Sequence, residues 1–149
     1  MFKPTFIVIH HSASPAERTT FKDIEDWHKA GGKKMIGYHG MVDITGKPFI
    51  GRPLNKQGAH CRFGGFNSKS LGYCIFGNFE KEEPSNAAWF TAHSTVANWC
   101  RTEGIPVKNV IGHKETGAAT LCPGKNFNIE LFRKAVEIEL KRLEKYKIN

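Results

Sequence analysis

The sequence predicts one α/β domain across residues 1–149, built on a central mixed β-sheet flanked by about three α-helices. Short β-branched runs recur at strand length, and three longer segments repeat apolar residues at helical spacing. A chain of 149 residues also has the size of a single domain. A domain that large buries roughly two thirds of the surface its unfolded chain exposes, so folding needs no disulfide staple.

Phe6-Ile7-Val8-Ile9 reads as a buried strand, with His10-His11 at its exit and Ser12 to Pro15 as loop. Thr20 followed by Asp23 is a capping-box pattern; it opens a helix carrying Phe21, Ile24, Trp27 and His28 on one side, which Gly31-Gly32 stop near Ala30. From Ile36 to Ile50 the pattern predicts two strands around a turn at Thr45-Gly46, and Leu71 to Phe79 reads as another central strand. A Gly-rich polar loop with His60, Arg62 and Asn67 lies between them.

Trp89, His93, Val96 and Cys100 recur at helical spacing, and Gly104-Ile105-Pro106 ends that helix. Val107 to Ile111 predicts a last short strand, and Gly112 to Phe127 a long loop of the kind that usually carries function. Asn128 caps a C-terminal helix whose buried stripe is Ile129, Phe132, Val136, Leu140 and Leu143.

A net charge of +8 favours an anionic polymer or surface as partner. The basic residues are spread along the chain without a nucleic-acid motif, which argues against nucleic acid as the main target. No apolar run approaches the roughly 20 residues that cross a bilayer, and no basic segment precedes an apolar one at the N-terminus. Synthesis in a bacterial cytoplasm without a signal peptide is therefore expected. A monomer is the simplest expectation. Cys61, Cys74 and Cys100 sit among apolar neighbours and read as small buried hydrophobes, whereas Cys122 precedes Pro123-Gly124 in a polar segment.

His10, His113 and Cys122 stand at element ends, and two imidazoles with one thiolate suit zinc, leaving a fourth tetrahedral position for water. Seven histidines and four cysteines permit many such triples, so spacing alone also allows a surface histidine and an incidental thiol.

Several blocks stand in order along the chain: Ile7-Val8-Ile9-His10-His11-Ser12, Trp27-His28, Ile36-Gly37-Tyr38-His39, Gly58-Ala59-His60 and Asn67-Ser68-Lys69-Ser70-Leu71-Gly72. Gly77-Asn78-Phe79, Ile111-Gly112-His113 and Thr120-Leu121-Cys122-Pro123-Gly124 follow. Together they resemble the zinc-dependent N-acetylmuramoyl-L-alanine amidases, a family that includes phage lysozyme-type amidases and animal peptidoglycan recognition proteins.

The resemblance implies a phage endolysin that uses a zinc-activated water to hydrolyse the amide between N-acetylmuramic acid and L-alanine in peptidoglycan, acting on the wall in the periplasm. It makes His10, His113 and Cys122 the zinc ligands. Tyr38 matches the tyrosine beside the metal, and Thr120 falls where family members carry lysine or threonine; both become oxyanion donors. His60 matches a family position near the cleft, which implies substrate contact, the alternative being a solvated loop histidine; Asn67 is a second substrate-binding candidate that serves equally well to fix a turn. A branch that recycles wall fragments carries Asp where Cys122 stands, and non-catalytic peptidoglycan-binding relatives lose that ligand. These are the two alternatives.

His28 and His93 fall on apolar helix stripes and are assigned to structure, and His39 is left out of the site because it points away from Tyr38. Lys134, Lys141, Arg142, Lys145 and Lys147 read as a solvated face suited to the helix dipole. The alternative is contact between this cationic C-terminal helix and an anionic membrane or outer-membrane surface.

Overall fold

Strand β1 (Phe6–His11) runs through the interior of a five-stranded sheet. It pairs in parallel with β4 (Ser70–Ile75) on one side and β5 (Val110–Gly112) on the other. Beyond β4 lies β2 (Gly40–Val42), also parallel, and β3 (Pro48–Ile50) closes that edge as the antiparallel arm of a hairpin. The helices are α1 (Phe21–Ala30), α2 (Asn86–Glu103) and α3 (Ile129–Lys145). The structure, a computed structural model, describes residues 1–146, so Lys147 lies outside it. The mixed sheet with three helices agrees with the predicted α/β class.

The caps are those expected. Thr20 Oγ1 accepts from the Asp23 amide at 3.2 Å while Asp23 Oδ2 accepts from the Thr20 amide at 2.9 Å, and Asn128 Oδ1 accepts from the Leu131 amide at 3.0 Å. Four boundaries differ. β1 continues through His11, so neither histidine lies beyond the strand. Ile36 to His39 is irregular, because its backbone groups find partners across loops: the Gly37 amide donates to His28 Nδ1 and its carbonyl accepts from Ala59. β4 ends at Ile75, before Gly77 turns the chain with φ 153. Val107–Asn109 is a 3₁₀ turn after Pro106, and only Val110–Gly112 is strand.

Strand alternation divides the core into two faces. Ile7 and Ile9, with Leu71, Tyr73 and Ile75, pack against α2 and α3 in the main cluster, where Trp99, Phe127, Phe132 and Val136 join them. Val8 on β1, Cys74 on β4 and Met41 on β2 point to the opposite face, covered by α1 through Ile24 and by the loop residues Cys61 and Phe66. On α3, Lys141 pairs with Glu137 at 3.2 Å and Arg142 with Glu139 at 2.6 Å, so part of its positive charge is answered within the helix. No described helix is long and apolar enough to cross a membrane.

Phe132 is fully buried and Ile138 on the same helix is 70% exposed. Phe132→Ala should cost about 3–5 kcal/mol of unfolding free energy, and Ile138→Ala should stay within about 0.5 kcal/mol of the parent. Urea midpoints at constant slope test this; equal losses would contradict the packing described.

Candidate functional site

Alternation places His10 on the same face as Val8, opposite Ile9 and His11. β5 runs beside β1 with Ile9 opposite Gly112, so the next residue, His113, stands alongside His10 with ring centroids 4.5 Å apart. The chain then returns on itself: the Lys114 amide donates to the Cys122 carbonyl at 2.7 Å, and Cys122 Sγ comes 3.8 Å from His10 Nδ1. The His11 amide donates to the same sulfur at 3.4 Å. Each of the three side chains offers a ligand atom within 4.8 Å of the others.

Burial, then the neighbouring His60 and His113, holds the His10 imidazole well below its ordinary pKa. Burial also lowers His113. Both therefore present neutral lone pairs at neutral pH. The Cys122 thiol is pushed up to about 12 by burial, against the opposing pull of the His11 amide. Such a thiol surrenders its proton to a cation rather than to solvent. Tyr38, with its ring 5.1 Å from that of His10, is raised well above the usual phenol range by burial and by the nearby Cys74 and Cys122, and so stays a hydrogen-bond donor.

The donor set fits zinc. Tetrahedral coordination with zinc bonds of ordinary length separates donors by about 3.3–3.6 Å, close to the 3.8 Å between His10 Nδ1 and Cys122 Sγ. Two neutral imidazoles and a thiolate match its borderline softness and leave one position open.

The N-acetylmuramoyl-L-alanine amidase family model matches residues 1–125. The chain belongs to that family. Peptidoglycan-recognition protein SC2 of Drosophila simulans is 32% identical over 131 residues, covering 82% of this chain and 69% of that protein. The endolysin of Enterobacteria phage K11 is 28% identical over 133 residues, covering 87% and 85%. In three dimensions the chain is similar to N-acetylmuramoyl-L-alanine amidase LysC from Clostridium intestinale URNW, with 29% identity, a TM-score of 0.83 and coverage of 91% and 87%.

The remaining candidate residues of this family member fall around the cluster in different ways. Thr120 Oγ1 accepts from the Cys122 amide at 3.2 Å and so retains its own proton for donation. His60 Nδ1 lies 2.9 Å from His10 Nε2. Asn67 Oδ1 accepts from the backbone amides of His60 and Cys61, both at 2.8 Å, and thereby holds that turn. His39 stands behind His60, its ring 6.0 Å away, and binds the Gly72 amide through Nδ1. His93 lies on α2, with its ring beside Phe90.

Sequence reasoning passed over Ser70, Cys74 and the second function of His28. Ser70 faces the His60 ring and Cys74 lies beside Tyr38; the first stands in one of the family-like blocks without a role of its own, and the second reads only as a small buried hydrophobe. His28 fills a helix stripe as expected, yet its Nδ1 also fastens Gly37 at 2.7 Å and its ring lies 5.0 Å from that of Tyr38.

Asn67→Leu should lower stability by about 1–3 kcal/mol by stranding two amides, whereas Asn67→Asp, which keeps the acceptor, should stay close to the parent in thermal unfolding. His28 gives a pH dependence. Burial brings it from 6.5 to about 4, so the folded state favours neutral imidazole. That contribution is complete above pH 6.5 and is lost as pH falls toward 4, where the unfolded chain gains protons. Urea midpoints at pH 7.5 and 5.0 should differ more for the parent than for His28→Asn; an equal difference would exclude this role.

Proposed function

We propose that this chain is a phage endolysin of the zinc amidase type, hydrolysing the amide bond between N-acetylmuramic acid and L-alanine in peptidoglycan. The observation that carries the reading is the convergence of His10 from β1 with His113 and Cys122 from the segment after β5, beside a protonated Tyr38. When bound there, zinc supplies Lewis acidity, acidifying water and polarising the amide carbonyl.

The chain's own residues do the rest. Neutral His10 and His113 and the Cys122 sulfur hold the ion, with the His11 amide hydrogen-bonded to that sulfur. The Tyr38 phenol and the Thr120 hydroxyl donate hydrogen bonds where negative charge develops on the carbonyl oxygen, a contribution greatest in a partly dry site. Burial of His10 and Cys122 limits water on the sheet side, while His113 and Thr120 remain partly exposed toward substrate.

The similarity to an endolysin, an amidase and a peptidoglycan-recognition protein supports peptidoglycan as the partner. A net charge of +8 suits an anionic wall. The presence of Cys122 favours catalysis over binding alone. We place the protein's action on the wall in the periplasm, as a monomer made in the host cytoplasm.

Purified peptidoglycan incubated with the zinc-loaded protein should release new N-terminal L-alanine amines; sugar reducing ends in their place would overturn the assignment. Cys122→Ala should retain its circular dichroism, lose stoichiometric zinc, and fall to the activity of the chelator-treated protein.

A further inference from the structure

We propose that His60 is a positioning residue: with Ser70 and the Phe66 carbonyl it forms a one-way hydrogen-bond chain that fixes the tautomer of His10, reserving Nδ1 for the metal. The inference rests on the zinc reading above only for its last link.

The direction of the chain follows from its end. A carbonyl oxygen only accepts, so the Ser70 hydroxyl, 2.5 Å from Phe66 O, spends its single proton there. Ser70 Oγ is then an acceptor toward His60 Nε2 at 3.3 Å, which places the His60 proton on Nε2. His60 Nδ1 is left as the lone pair and accepts from His10 Nε2 at 2.9 Å. His10 therefore carries its proton on Nε2, and its Nδ1 faces Cys122 Sγ. A metal-ligating histidine gains orientation and basicity when its other ring nitrogen donates to a fixed acceptor. Here that acceptor is a second histidine rather than a carboxylate.

The ring of His60 is seated for this task. It lies flat on β4 over Gly72, where a Cβ would come within 2.5 Å of its Cγ, and a Cβ at Gly58 would come within 2.7 Å of its Cδ2. Asn67 holds the backbone at His60 and Cys61, and Ser70 is fully buried. Both ring nitrogens of His60 are thus engaged within the protein.

The test begins with metal-free wild-type protein. Nitrogen-15 NMR of the imidazoles should show His10 protonated on Nε2 and bare on Nδ1, and His60 likewise; the opposite pattern in either ring overturns the proposal. Zinc and cobalt(II) affinities by chelator competition should then fall about 10–100-fold in His60→Leu, with an altered cobalt–thiolate absorption band. His60→Asn, whose Oδ1 occupies the place of Nδ1, should recover most of that loss. Unchanged affinity in a folded His60→Leu, or no recovery in His60→Asn, would overturn the proposal. Wild type that binds neither metal would instead overturn the zinc reading, while the tautomers measured without metal would still decide the chain's direction.

Discussion

The pairing of β1 with a parallel neighbour on each side is the constraint from which the site follows. Register with β4 and β5 leaves β1 no freedom to slip, because a one-residue shift would send Ile7 and Ile9 to the wrong face. The same register decides that His10 faces α1 and the loop residues while His11 faces the main core. It also brings His113 alongside, since Gly112 is held opposite Ile9. The ligand pair is thus a by-product of sheet packing, and its rigidity is that of a strand buried from Ile7 to His11.

Cys122 has no strand to hold it, and the fold compensates with ties from several directions. Arg133 on α3 donates to Glu115 Oε1 and to the Val110 carbonyl, both at 3.0 Å, while Glu115 accepts from the Gly112 amide at 2.8 Å. Further on, the Asn126 amide donates to the Phe79 carbonyl at 2.8 Å, and the Phe79 amide donates to His11 Nδ1 at 3.0 Å. Gly124, with φ 106, lies so close to the Phe79 carbonyl that a Cβ would come within 2.4 Å of its carbon. The core-facing histidine therefore anchors the turn against which the cysteine loop is packed. α3, remote in sequence from the first strand, acts on the site through Arg133.

Elements whose signals are local were legible from residues alone: the β-branched first strand, the Thr20–Asp23 capping box, and the stripe of α3 opened by Asn128. The ligands were legible only through their surrounding motifs, since the three donors are brought together by pairing across more than a hundred residues. What sequence reasoning could not reach are groups whose meaning is a long-range contact. Tyr38 falls within the strand pattern that begins at Ile36, yet the segment stays irregular because the Gly37 amide is answered by His28 and its carbonyl by the Ala59 amide. Ser70 is an ordinary strand-opening serine until the His60 ring is seen above it. The two histidines of β1 have opposite fates, and only knowing that the strand continues through His11 separates them.

That separation extends to how the imidazoles are satisfied. A neutral buried histidine has one donor and one acceptor nitrogen, and each needs a partner. In this fold backbone amides supply donors to Nδ1 again and again: Phe79 to His11, Gly37 to His28, and Gly72 to His39, whose Nε2 then donates to the Lys56 carbonyl at 2.7 Å. Backbone groups do not change protonation, so they pin these rings in one tautomer. His60 and His10 break the pattern, because the Nδ1 of His60 is answered by His10 and that of His10 by no amide but by a thiol. Of these five rings, His10 alone keeps its Nδ1 lone pair free of any N–H donor. The polar bonding of the core thus leaves this lone pair facing only the thiol where the cysteine and His113 converge, and a metal that displaces the thiol proton finds it available.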